Sequence, residues 1–331
     1  MNPTSPTILR SRFADHPRAS ANLCTALLVV SAVGVLVGCG GGSSSSATAG
    51  ATPSATTGTS GVECAYSRSA FNASASVNLT STANWTCSGT ARALAANGVP
   101  DHAVGSFPNA DNPNTISAQS VTVTFTLTPT ATTVATPLGG PAGVIGFVLN
   151  GVKIDAGTNG GCNDAGTVCD PGMPAGQWRM EALGQTSFRF GTDSNNAHVQ
   201  PGGAYHYHGM PEGFVTARGG NASKMTLIGW AADGFPIYAR HGYSVAADAS
   251  SAIRLVKGSY RLKATPDANR PAVTLYPMGA FQQDYEYAAG SGDLDECNGR
   301  TGVTPDFPGG IYHYYATDSY PFLQRCVKGR V

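Results

Sequence analysis

Residues 201–209 read "PGGAYHYHG" and place two histidines two positions apart, each preceded by a tyrosine. In an extended chain such residues share a face, so His206 and His208 point one way and Tyr205 and Tyr207 the other. Two imidazoles on neighbouring pleats can chelate one ion. Zinc takes four ligands and copper three or more, so partners must come from elsewhere in the chain. His198 precedes the pair across a Pro-Gly-Gly turn that can fold it back alongside, which makes it the third candidate. His313 is the remote candidate. It lies in "PGGIYHYYA", residues 308–316, which repeats the first motif but carries Tyr315 where a second histidine would stand. If the two repeats pair as strands, three or four imidazoles meet. Glu181 and Asp193 offer a carboxylate, as ligand or as general base. An imidazole-rich, thiolate-free set suits zinc or copper(II). The competing reading is an aromatic sheet face whose histidines bond to backbone carbonyls. His102 and His241 have no evident partner and read as loop residues.

A second dense stretch, "GDLDECNGRTGVTPDFPGG" at 292–310, carries Asp293, Asp295, Glu296 and Asn298. The spacing departs from an EF-hand loop, because Cys297 holds the place of the third ligand and the glycine comes one position late. Calcium near Asp293 and Asp295 stays open beside a capped, disulfide-anchored turn. No nucleophile elbow, phosphate-binding glycine loop or HExxH helix is present. An enzyme built on this chain would therefore rely on a metal or on a carboxylate–histidine pair.

The elements that must position these residues read as short strands. "SVTVTFTLTP", residues 120–129, alternates Val121, Val123, Phe125 and Leu127 against threonines, the pattern of a half-buried strand. "GVIGFVLNGVKID" turns at Asn150-Gly151 and "MTLIGWAADGFPIYAR" at Asp233-Gly234, both strong hairpin signals. "SFRFG" at 187–191 reads as another strand and "RLVKGSYRL" at 254–262 as another hairpin; only "GTARALAANG" at 89–98 invites a helix. With 42 glycines and 21 prolines in the chain, the pattern predicts an all-β sandwich or barrel-like fold with long loops.

The ends and the cysteines set the compartment. Residues 1–39 read as an export signal: Arg10, Arg12 and Arg18, then an apolar run ending in "LVGC". That ending resembles a lipobox, which implies acylation of Cys39 (palmitate among the chains) and a lipid anchor. Gly40 after it implies sorting to the outer membrane, facing the periplasm or the exterior. Residues 40–62 form a Gly/Ser/Thr tether, and 63–331 one extracytoplasmic domain. Cys64, Cys87, Cys162, Cys169, Cys297 and Cys326 remain, with no CxxC pair, so they read as disulfides. Sequence proximity suggests Cys64–Cys87, Cys162–Cys169 and Cys297–Cys326. Net charge is zero and charged residues are 12% of the chain, which gives no footprint for nucleic acid.

"NNAHVQPGGAYHYHGMPEG", "MTLIGWAADGFPIYARHGYS" and "QDYEYAAGSGDLDECNGRTGVTPDFPGGIYHYYATDSYPFLQRCVKG" together resemble the bacterial YHYH-domain proteins over about residues 140–331. The resemblance implies a secreted or envelope protein and no particular activity. Three functional expectations follow. The leading one is a lipid-anchored envelope protein with a transition-metal site at His198, His206 and His208, His313 being the weaker fourth ligand. The second is a metal-dependent hydrolase or oxidase using Glu181 or Asp193 as base. The third is a metal-free module whose exposed tyrosines grip a glycan or a protein.

Overall fold

A computed structural model describes residues 64–172 and 176–331. The expected leader, Cys39 and the 40–62 tether lie outside the described residues. Nearly all regular structure is β, as the alternation and turn chemistry predict. A four-stranded antiparallel sheet runs in chain order: β1 (Ser67–Asn72), β2 (Leu79–Ser88), β3 (Ala91–Ala96) and β4 (Val121–Thr126). Residues 89–98, expected to be helical, form β3 instead. Ala and Leu favour helix locally, but burial of Arg92 and Leu94 at alternate positions fits a strand paired on both sides, and tertiary context wins. The Arg92 guanidinium lies 3.2 Å from the centroid of the Trp230 ring. The described α-helix, α1 (Glu212–Ala217), falls in a stretch with no helical periodicity expected.

The second sheet has eight strands and curls into a half-barrel. Its members in chain order are β5 (Gly146–Val148), β6 (Lys153–Ile154), β7 (Ala197–Val199), β8 (Tyr205–Tyr207), β9 (Leu227–Ala231) and β10 (Pro236–Tyr238). After a separate hairpin, β11 (His241–Tyr243) and β12 (Ile253–Leu255), come β13 (Gly299–Gly302) and β14 (Ile311–Tyr315). The spatial order is β7-β8-β6-β5-β9-β10-β14-β13. Read outward from the centre, both halves repeat one plan: a hairpin, then a parallel tyrosine-rich strand, then its antiparallel edge partner. The expected hairpins turn at Asn150-Gly151 and Asp233-Gly234, whose glycines hold φ of 82° and 87° as such turns require. At the junction Phe147 stands opposite Trp230. Two reciprocal bonds flank them, Leu149 N–H to Ile228 O at 2.9 Å and Ala232 N–H to Ile145 O at 2.7 Å. The two "YHY" strands do not pair; four strands lie between them.

The sheets share one apolar core. Trp85 stacks on Phe125 at 5.7 Å between centroids, Phe125 meets Phe147 at 6.3 Å, and Trp85 Nε1 donates to Leu149 O. Burying each such ring contributes roughly 1.5–3 kcal/mol. The three disulfides are Cys64–Cys87, Cys162–Cys169 and Cys297–Cys326, the pairs nearest in sequence.

Two further local expectations change, and the leading reading of the acidic loop stands. Residues 187–191 are irregular. Residues 254–262 do not form a hairpin: β12 pairs with β11, and Tyr260–Leu262 pairs with Tyr285–Tyr287. The acidic loop is a capped turn. Asp293 takes both Nη atoms of Arg254 and the Lys257 amide, while Asp295 accepts from the Cys297 and Gly299 amides and the Tyr312 hydroxyl. With both carboxylates occupied internally, the geometry gives no support to calcium there.

Candidate metal centre

The turn between β7 and β8 is closed by Gln200 N–H to Ala204 O and Gly203 N–H to Gln200 O. Gly202 and Gly203 hold φ of 91° and 87°, which only glycine adopts freely. That turn sets His198 directly opposite His206, and His208 follows two residues along β8's direction. Opposed residues of an antiparallel pair share a face, so all three rings gather on one side, 4.6–4.7 Å apart between centroids. Each offers a ligand nitrogen within 4.8 Å of the others.

The outward nitrogens are fixed by the backbone. His198 Nδ1 donates to Phe190 O at 2.6 Å; His206 Nδ1 faces Ala204 O at 3.3 Å, and His208 Nδ1 faces Ala156 O at 3.5 Å. With protons on Nδ1, the Nε2 lone pairs face inward, and those of His198 and His208 lie 3.1 Å apart. Zinc–imidazole bonds of about 2.0–2.1 Å at tetrahedral angles place ligand nitrogens roughly 3.3 Å apart. A carbonyl orienting the far nitrogen is the usual support of a metal-binding histidine. Burial holds all three rings below the usual histidine range. For His206 and His208 the fall is large, and neighbouring imidazoles add to it. Burial thus favours the neutral imidazole in all three, the form that binds metal.

The three histidines line a cavity of about 680 Å³. Two carboxylates line it, the exposed Asp111 and the buried Asp155, and neither is singled out by the sequence. In the parallel pairing of β6 with β8, Lys153 stands beside His206, and Asp155 two residues on lines the cavity with the histidines. Asp155 accepts from the Gly140 amide at 2.7 Å and from Lys153 Nζ at 3.3 Å. The signal in the sequence was "KID" after the Asn-Gly turn, but only the parallel register puts those charges on the histidine face.

The other candidates lie elsewhere. His313, on β14, is buried among Tyr238 and Tyr315 and bonds through Nδ1 to Ile311 O and through Nε2 to the Tyr315 hydroxyl. Both its nitrogens are satisfied, and four strands separate it from the trio. Glu181 is buried against Arg325, at 2.8 Å, and burial raises its carboxyl pKa. Asp193 accepts from the Tyr205 hydroxyl, the Gly105 amide and Asn195. Neither carboxylate lines the cavity. His102, read as a loop residue, is buried and its Nε2 meets the Tyr207 hydroxyl at 2.5 Å. Tyr205, Tyr207, Tyr314 and Tyr315 are all buried, so they offer no exposed aromatic surface to a glycan.

Comparison with curated proteins and with solved structures finds no match for this chain. The family model described as "YHYH protein" matches residues 122–329, from β4 through both tyrosine-rich strands. It starts upstream of the 140–331 resemblance and takes in both halves of the eight-stranded sheet. The chain belongs to the YHYH protein family.

Proposed function

We propose that this protein is an exported, lipid-anchored envelope protein that holds one zinc or copper(II) ion through His198, His206 and His208. The observation that carries the metal reading is the 3.1 Å approach of two inward Nε2 atoms whose Nδ1 partners are backbone carbonyls. Two lone pairs at that distance repel unless a cation or a proton lies between them. Three neutral imidazoles leave the ion's charge uncompensated, and Asp155 supplies a carboxylate in the same cavity. Three disulfides and no CxxC pair suit an oxidising compartment, and "LVGC" before a glycine–serine tether suits acylation at Cys39.

When bound, the ion would act as a Lewis acid toward a ligand entering the cavity. His198, His206 and His208 would hold it, and Asp155 would accept a hydrogen bond from whatever sits beside it. The competing metal-free arrangement moves a proton to His208 Nε2 and turns the close contact into a hydrogen bond. Elemental analysis of protein made without a histidine tag separates the two: about one zinc or copper per chain supports the site, and none after incubation with either ion refutes it. For the anchor, Cys39→Ser should move the protein from the membrane fraction to the soluble one. Unchanged fractionation would refute lipidation.

A further inference from the structure

The two halves of the eight-stranded sheet correspond in register and in several hydrogen bonds around their "YHY" strands. Tyr205 donates to Asp193 at 2.8 Å, and Tyr312 to Asp295 at 2.9 Å. Each aspartate accepts the amide two residues on, from Asn195 and from Cys297. Asn196 and Asn298 follow at φ of 56° and 59°, and their carbonyls accept the amides of His208 and Tyr315. Tyr207 meets the turn residue Asn150, and Tyr314 the turn residue Asp233. Both central histidines aim Nδ1 at the carbonyl two residues back. The pairing of His198 with His206 on β7 and β8 recurs as Arg300 with His313 on β13 and β14. By this register His198, His206 and His208 correspond to Arg300, His313 and Tyr315.

In the second half protein groups fill the space between these three side chains. Arg300 Nη2 donates to the Tyr315 hydroxyl at 3.0 Å, and that hydroxyl donates to His313 Nε2 at 3.0 Å. The β11–β12 hairpin lies over them: a Cβ on Gly242 would fall 2.3 Å from the Tyr315 hydroxyl oxygen, and Tyr243 O accepts from Arg300. We infer that Arg300, His313 and Tyr315 are a metal-free copy of the three-histidine site, in which an arginine cation and a tyrosine hydroxyl occupy the place of the ion, and that this half keeps the backbone of a second, latent zinc or copper site. The assignment rests on the metal reading of the first half for its choice of ligand.

The test is titration of zinc and copper(II) into the wild-type chain, Arg300→His/Tyr315→His, and that double variant with His206→Ala added. Circular dichroism verifies that each is folded. Stoichiometry should rise from one ion per chain to two in the double variant, and one should remain when His206→Ala disables the first site. A folded double variant that binds no more than wild type overturns the inference. Wild type binding none while the double variant binds one would refute the proposed function and leave the latent site standing. If the double variant fails to fold, Arg300→His alone sets an imidazole opposite His313 with Tyr315 retained. In the His206→Ala background, one copper(II) bound per chain with nitrogen hyperfine coupling that the His206→Ala chain alone lacks supports the inference, and a folded variant that binds no more copper(II) than His206→Ala alone contradicts it.

Discussion

The half of the sheet containing β8 and the half containing β14 share strand order, turn chemistry and tyrosine–aspartate bonds, yet differ in what their central histidines face. Around His206 stand two further imidazoles, a cavity and Asp155; around His313 stand Arg300, Tyr315 and a covering hairpin. Where β6 and the residues after it supply Lys153 and Asp155, the same positions on β10 are Pro236 and Tyr238, the latter bonded to Thr304 and Asp306. The shared features therefore belong to the fold, and the unshared ones to the chemistry. The tyrosines of the repeated motif tie strands to turns in both halves. In the first half the contact between imidazoles is nitrogen to nitrogen, His208 Nε2 to His198 Nε2 at 3.1 Å, whereas in the second half a tyrosine hydroxyl stands against His313 Nε2.

That contrast can be broken from its structural side first. Asn195 in one half corresponds to Cys297 in the other, and the Cys297–Cys326 bond closes a loop of separation 29. Cys297→Ser/Cys326→Ser should cost about 3–4 kcal/mol of unfolding free energy in denaturant, with zinc or copper affinity unaltered; coupled loss of metal binding would show that the halves are not separable. Next comes acid. Burial lowers His313 to about 4, against about 6.5 unfolded. Because the unfolded chain then takes up the proton first, this histidine contributes stability above pH 6.5 that is lost as pH falls toward 4, on the order of 3 kcal/mol. His313→Gln should flatten the stability profile across that window, and an unchanged slope would contradict the burial argument. Smaller effects separate the paired tyrosines. Tyr314→Phe removes a bond to the buried Asp233 carboxylate and should cost about 2 kcal/mol. Tyr207→Phe removes neutral bonds to His102 and Asn150 and should cost about 1 kcal/mol. Its metal affinity should stay within about a factor of ten. The reverse ranking would deny the charge difference between the two turns.

Much of this was legible because its causes are local. Alternation gave β4, the Asn-Gly and Asp-Gly turns gave two hairpins, and the Pro-Gly-Gly turn returned His198 to His206. What depended on long-range register was not. Nothing local to "RALAA" reveals that Arg92 packs on Trp230, so helix propensity misled. Nothing local to "KID" reveals a parallel neighbour 53 residues on, so the sequence points to Glu181 and Asp193 rather than to Asp155. The repeated motif is visible in the sequence but its placement is not: pairing of the two copies is only one possibility there, and the strand order about the β5–β9 junction puts them in opposite halves.

The central claim is that three imidazoles share one ion, and titration of the wild-type chain against His206→Ala addresses it most directly. Zinc or copper(II) should bind the wild type at one ion per chain. The variant, left with two ligands, should bind more weakly by well over the roughly hundredfold loss that follows removal of an orienting partner, with an unchanged circular dichroism spectrum. A wild-type chain that binds neither ion, or a folded His206→Ala variant that binds as tightly as wild type, would contradict the account and make the histidine cluster a packing device.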